Sequence, residues 1–145
     1  MQNIIETQVQ ARRHNYESWV VCMAKDIIEV SNKRRSNGFF ALPEYYISSL
    51  IGRNRKADLA IIEIIDQNDN VILLIECKVK KTDFPRGENQ LRGYMADLDC
   101  NYGILMNADY YRTLVMNNNG EITISNDIEL NEPGIQTIVN YVNGV

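Results

Sequence analysis

ILLIECK, residues 72–78, is a run of four aliphatic residues followed by a glutamate and, two positions later, a lysine. Side chains two positions apart on a β-strand point to the same face, so Glu76 and Lys78 are expected to lie side by side. Charged groups are rarely placed at the mouth of a buried strand unless they are paired or bind a metal. This stretch is therefore predicted to form a buried strand and to carry chemistry.

The rest of the chain predicts an α/β domain with a mixed β-sheet core flanked by helices. Residues 57–66 and 71–80 are predicted to be the strands of a hairpin around the loop 67–70. A helical region, one long helix or two joined near His14, is expected before the hairpin. The other expected elements are strands within 45–51, 102–106, 111–116 and 121–125, and helices over 88–100 and 133–141.

The hairpin brings a second carboxylate to the end of this strand. If Asp66 and Val71 are partners, Asp58 lies opposite about residue 79, to within a residue or two. Asp58 is therefore expected to fall beside Glu76 and Lys78 at the same end of the sheet. Two carboxylates this close repel, and each raises the pKa of the other. A bound Mg²⁺ offsets the repulsion between the two carboxylates. Proteins typically hold this ion through one or two carboxylates plus a substrate phosphate. With Lys78 to act on water or on phosphate charge, these groups suit phosphodiester hydrolysis.

Three segments carry a resemblance to a known family: RKADLA at 55–60, LIECK at 74–78 and QLRGY at 90–94. In these segments the chain resembles the PD-(D/E)xK nuclease superfamily. More closely, it is similar to the amino-terminal nuclease domain of type I restriction enzyme subunits. Ala57 stands where the nominal family pair has proline, which leaves the acid in place. The resemblance covers about residues 15–120 and implies a restriction-endonuclease-like fold.

The resemblance also implies roles for individual residues. A divalent metal, Mg²⁺ or Mn²⁺, would be held by Asp58, Glu76 and the backbone carbonyl of Cys77. Lys78 would be catalytic, and Gln90 and Tyr94 would assist near DNA.

The family usually places a further glutamate on the first helix, aimed at the metal. Glu17 shares its helical face with apolar residues three, four, seven and eleven positions on, so it is expected to point inward. Glu29 has Lys25 four residues before it, which suggests solvent, and Glu6 is an intermediate case. Glu17 is the preferred candidate, and the other two stay open.

The net charge of −4 argues weakly against a nucleic-acid-binding protein, but the basic residues are bunched. Net charge reflects solubility more than local potential, so an acidic total is compatible with a basic groove. A charge run is also often only a solvated loop. The candidate phosphate-binding residues are Arg53, Arg55, Lys56, Lys80, Lys81 and Arg86.

Length and composition favour one domain over residues 1–145, expected to be cytoplasmic, with reduced cysteines and no membrane segment. The expected function is Mg²⁺-dependent hydrolysis of DNA, of restriction type. One alternative is an inactive nucleic-acid or protein-binding module that keeps the fold, and another is a structure-specific resolvase or repair nuclease. A homodimer, or partner subunits that supply specificity, also remain open.

Overall fold

The computed structural model describes residues 1–50 and 53–145, without the side chains of residues 48–50, 53 and 54. The side chain of Arg53, a candidate for phosphate binding, thus lies outside the described residues. Within the described ranges, four α-helices and seven strands follow one another along the chain. They are α1 (Gln2–His14), α2 (Glu17–Val30), β1 (Phe40–Leu50), β2 (Arg53–Ile65), β3 (Asn68–Cys77), α3 (Phe84–Leu98), β4 (Tyr102–Met106), β5 (Tyr110–Met116), β6 (Ile122–Ile124), β7 (Ile128–Glu129) and α4 (Glu132–Gly144).

The strands form one mixed sheet in the order β1-β2-β3-β4-β5-β6, with β7 paired to β5. Strands β3 and β4 are parallel, and the other neighbouring strands are antiparallel. A parallel pair needs a crossover connection, which α3 supplies here. The predicted α/β class with a mixed, helix-flanked sheet is confirmed at this level.

Helices cover both faces of the sheet, which explains why the strand at 72–78 is apolar without alternation. Helices α1, α2 and α4 pack on one face, against side chains that include Leu73, Ile75 and Cys77. Helix α3 packs on the other face, against side chains that include Leu74 and Leu105. No helix in the described part of the chain combines the length and the apolar character needed to cross a membrane.

The predicted helical region at the amino terminus is two helices. Asn15 ends α1 in the left-handed conformation, with φ of 53°, which asparagine tolerates better than most residues. Strand β1 begins at Phe40, earlier than the sequence predicted, and β7 was not predicted at all.

The predicted hairpin exists, but the prediction of its loop and register was wrong. The turn is the dipeptide Asp66–Gln67, with both φ values positive, at 50° and 66°, and not the loop 67–70. Such two-residue turns match the twist of the flanking strands. The shorter turn shifts the pairing so that Leu59 lies opposite Ile75. Asp58 therefore lies beside Glu76, as predicted for this end of the sheet, although the predicted partner near residue 79 was wrong.

Truncation of Ile75 tests how much the buried strand contributes to stability. Its side chain is 1% exposed between the helices and the sheet. We expect Ile75→Ala to lower the free energy of unfolding by about 2–5 kcal/mol, measured by urea denaturation. The matched control is Ile64→Ala in the neighbouring strand, where the side chain is 50% exposed and the loss should be about 1 kcal/mol or less. Equal losses in the two variants would contradict the burial described here.

Candidate active site

The candidate site lies where the pairing of β2 with β3 ends. The last pair at this end is Leu59 with Ile75. Beyond it, the Cys77 N–H donates to Asp58 Oδ2 at 2.7 Å, and the Asp58 N–H donates to Glu76 Oε1 at 3.2 Å. Each carboxylate thus takes the place of a backbone carbonyl of the opposite strand. The two acids are fixed next to each other by the strands that carry them.

Lys78 completes the arrangement just past the end of β3. Its backbone N–H donates to the Met106 carbonyl at 2.9 Å, which keeps the chain beside β4. Lys78 Nζ lies 3.8 Å from Glu76 Oε2 and 3.7 Å from Glu17 Oε1. The lysine side chain is only 7% exposed, whereas that of Glu17 is 50% exposed. The strand periodicity that predicted Glu76 and Lys78 as neighbours agrees with this geometry.

Glu17 is the one of the three candidate glutamates that forms an ion pair with Lys78 within the described residues. It occupies the first position of α2, so the helix presents it at the same end of the sheet as Asp58. All three glutamates are exposed, so the prediction that Glu17 points inward was wrong. What distinguishes Glu17 is its place in the first turn of α2, next to Lys78. Helical periodicity had favoured Glu17 over Glu6 and Glu29.

The carboxylates of the site destabilise one another's charge. Burial, and then the charge of Asp58, raises the pKa of Glu76 to about 8. Burial also raises the pKa of Asp58, and Glu17 adds to this effect. Lys78 opposes both shifts but supplies one positive charge against three carboxylates. The site is therefore short of positive charge when all three acids are ionised.

Helix α3 closes the site from the other face of the sheet. A Cβ on Gly87 would lie 3.1 Å from Lys78 Cε and 2.8 Å from Leu105 Cδ1, so glycine lets the helix approach the lysine. Tyr94, two turns further on, is 7% exposed. Burial, and then the charge of Glu76, raises the pKa of Tyr94.

Gln90 lies on α3 between Gly87 and Tyr94, at helical spacings of three and four residues. Its Oε1 atom is buried and accepts no hydrogen bond from the described residues. Buried polar atoms are nearly always paired, so this acceptor calls for a water or ligand partner. Both residues of the predicted QxxxY element thus lie on the side of α3 that faces the sheet.

A cleft of about 360 Å³ opens on the α2 side of the site, lined by Glu17, Ser18, Val21, Pro43, Glu44 and Asp58. The sequence reasoning missed Glu44. Its neighbours pair with the residues on either side of Asp58, and its φ is 50°. The one local signal is Pro43, since proline inside a strand indicates an edge or an irregularity.

Arg55, predicted to contact DNA, is engaged within the protein. Its Nη1 pairs with the Asp97 carboxylate on α3, and its guanidinium lies 5.3 Å from the centre of the Tyr94 ring. A Cβ on Gly93 would lie 3.0 Å from Arg55 Nη2, so this glycine makes room for the guanidinium. In the structure Arg55 therefore links β2 to α3.

The other candidate phosphate-binding residues differ in their surroundings. Lys81 Nζ lies 3.2 Å from Asp127 Oδ2 and 4.3 Å from the centre of the Tyr110 ring. Lys56, Lys80 and Arg86 are exposed, and none of them forms an ion pair with the described residues. Among the candidates whose side chains the structure describes, these three are exposed and have no ion-pair partner, whereas Lys81 is exposed but paired with Asp127.

The site offers a small set of oxygen donors to a divalent cation. No group of three or more His, Cys, Asp or Glu side chains in the described ranges is arranged to hold a metal ion. Two adjacent carboxylates with raised pKa values are present, and Mg²⁺ keeps several waters when it is bound by one or two carboxylates. The residues therefore fit a largely hydrated Mg²⁺ and not a cage made only of protein side chains.

Comparisons with family models, with curated proteins and with solved structures find no match.

The pKa of Glu76 predicts how stability depends on pH without metal. Its pKa is about 8 in the folded chain against an ordinary value of 4.5. Between these values the folded state binds more protons than the unfolded state, so the free energy of unfolding should fall as the pH rises. Glu76→Gln should reduce this slope, as measured by urea denaturation in EDTA at several pH values. Glu29→Gln, at an exposed position, is the control that should keep it; identical slopes for all three proteins would contradict the assignment.

Proposed function

We propose that this chain is a restriction-endonuclease-like hydrolase that cleaves DNA phosphodiester bonds with Mg²⁺ or Mn²⁺, of restriction type. The observation that carries the proposal is the pair of carboxylates, Asp58 and Glu76, held by each other's strands with Lys78 buried beside them. The PD-(D/E)xK resemblance of the sequence supports the same conclusion, because it falls on these same three residues.

The metal would be held by Asp58, Glu76 and the carbonyl of Cys77, with Glu17 contributing directly or through water. Backbone amides donate to Asp58 Oδ2 and Glu76 Oε1, and Glu76 Oε2 lies 3.8 Å from Lys78 Nζ. The bound cation would supply electrophilic activation of the phosphodiester and a more acidic water.

Lys78 is the residue placed to act on the reaction itself. Its ammonium lies between Glu76 and Glu17 and is largely shielded from solvent, where a charge acts strongly on nearby groups. It can orient or deprotonate the attacking water, or neutralise charge that develops on the phosphate. Gln90 offers a buried acceptor and Tyr94 a ring and hydroxyl on the α3 side, which suits them to position water or substrate.

A binding module that keeps this fold without catalysis is the second candidate function. The finding that favours it is the lack, in the described part of the chain, of a group of three metal-binding side chains. The two functions differ in one property, since the nuclease must bind Mg²⁺ or Mn²⁺ through Glu76 and the module need not.

Cleavage assays with substitutions at the site test the proposal. Wild-type protein should cleave DNA with Mg²⁺ or Mn²⁺ and not with EDTA, on linear duplex, single-stranded or branched substrates. We expect Lys78→Ala to lower kcat by about a hundredfold or more. Glu76→Ala should also abolish Mn²⁺ binding measured by calorimetry. The matched control is Lys25→Ala, at an exposed position of α2, which should behave as wild type.

Two results would contradict the nuclease assignment. One is equal cleavage by wild type and Lys78→Ala, and the other is no cleavage by wild type on any of the three substrates. Activity confined to branched DNA would instead assign the chain to the structure-specific nucleases.

Adding one methyl group at Gly87 tests whether the position of Lys78 matters. The new Cβ would lie 2.8 Å from Leu105 Cδ1 and 3.1 Å from Lys78 Cε, so both side chains must shift. We expect Gly87→Ala to lower kcat by about tenfold to a hundredfold, with about 1–3 kcal/mol of lost stability. Gly144→Ala, where the added Cβ meets nothing within 4 Å, should keep full activity. An unchanged kcat in folded Gly87→Ala would show that catalysis does not depend on the position of Lys78.

A further inference from the structure

We infer that residues 45–50 and 53–57, called the ribbon below, enter the major groove of double-stranded DNA beside the candidate site. The inference rests on the proposed nuclease function and names its substrate class. It is carried by strand pairing, charge and exposure of the described residues.

The ribbon arises because β1 and β2 go on pairing after β2 has separated from β3. The pairing of β2 with β3 stops at Leu59, whereas β1 and β2 continue from the pair Tyr45–Ala57 to the pair Leu50–Arg53. Six residues of β1 span about 20 Å at about 3.3 Å per residue. The base of the ribbon adjoins Asp58, so a nucleic acid held by the ribbon also lies at the carboxylates.

The charge of the ribbon is opposite to that of the whole chain. Residues 45–57 contain three basic residues, Arg53, Arg55 and Lys56, and no Asp or Glu, whereas the chain carries −4. Arg55 is neutralised by Asp97, and the side chain of Arg53 lies outside the described residues. Lys56 is therefore the basic side chain of the ribbon that the structure shows facing solvent. A local positive charge attracts the phosphate backbone regardless of net charge. It also offsets the repulsion between DNA and the carboxylates next to it.

One face of the ribbon is anchored and the other is open. Tyr45 and Ile47 pack against the hydrophobic cluster under α3, and Arg55 is paired with Asp97 on that helix. Tyr46 and Lys56 are cross-strand partners, and both are exposed, Tyr46 to 51%. The anchored face fixes the ribbon relative to the site, and the open face presents an aromatic ring and an ammonium to a ligand.

The shape of the ribbon selects the groove. The major groove of B-DNA is about 12 Å wide and admits a two-stranded β-ribbon, whereas the minor groove is about 6 Å wide. Lysine can bind phosphate or the O6 and N7 acceptors of guanine there. We therefore assign Lys56 to DNA contact in the major groove and Arg55 to anchoring.

The test measures binding apart from cleavage, with wild-type protein and a short duplex in EDTA, by fluorescence anisotropy at several salt concentrations. Lys56→Glu should weaken duplex binding by about tenfold or more and reduce the salt slope. Lys25→Glu makes the same charge change at an exposed position of α2 and should stay within about twofold of wild type. Tyr46→Ala should weaken binding without changing the salt slope. Methylation of guanine N7, which lies in the major groove, should interfere with binding.

Equal losses for Lys56→Glu and Lys25→Glu would overturn the ribbon assignment, and so would binding that is indifferent to N7 methylation. Tight binding of single-stranded DNA with no preference for duplex would overturn it as well. In each of these cases metal-dependent cleavage by wild type could persist, so the nuclease proposal would stand. Absence of both binding and cleavage in wild type would remove both proposals together.

Discussion

The site depends on an exchange of hydrogen-bond acceptors where the pairing of β2 with β3 ends: side-chain carboxylates take the place of backbone carbonyls. Past Leu59 and Ile75, the backbone N–H groups of Asp58 and Cys77 are bonded by side-chain carboxylates and not by carbonyls of the facing strand. A buried N–H without a partner is costly, so the acids stabilise the point where the strands separate. The two carboxylates that accept these bonds, those of Asp58 and Glu76, are also the acids proposed to hold the metal. The point where β2 separates from β3 is therefore also the point where the two carboxylates are held and where the ribbon begins.

The second constraint is the close approach of α3. Glycine at position 87 lets the helix contact Lys78, and Arg55 holds the helix to β2 through Asp97. Between these two contacts the helix presents Gln90 and Tyr94 to the sheet. The carboxylates lie on the strands, and the buried, unpaired Gln90 Oε1 atom lies on the helix that packs over them. The proposed hydrolytic role rests on this joint arrangement more than on any single residue.

Local patterns in the sequence predicted much of this arrangement. The apolar run and two-residue alternation located Glu76 and Lys78. Helical periodicity favoured Glu17 among three glutamates, but it predicted an inward-pointing side chain, and the Glu17 side chain is 50% exposed. The predicted register of the hairpin was wrong. The actual turn is a tight one with positive φ at Asp66 and Gln67, and it contains no glycine that would indicate it in the sequence. The pairing of Arg55 with Asp97, 42 residues apart, follows from the docking of α3 on the sheet. Such contacts depend on packing between layers and leave no local pattern.

The bonds at the end of the ladder also bear on the entropy of ligand binding. A free glutamate or aspartate side chain rotates among several rotamers, and a ligand that fixes it must offset the lost freedom. Here one oxygen of each acid is already bonded to a backbone amide, so folding has fixed both side chains before any ligand arrives. The second oxygen of each acid, Asp58 Oδ1 and Glu76 Oε2, is thereby preorganised. A ligand that binds these oxygens loses little of its binding free energy to further ordering of the side chains.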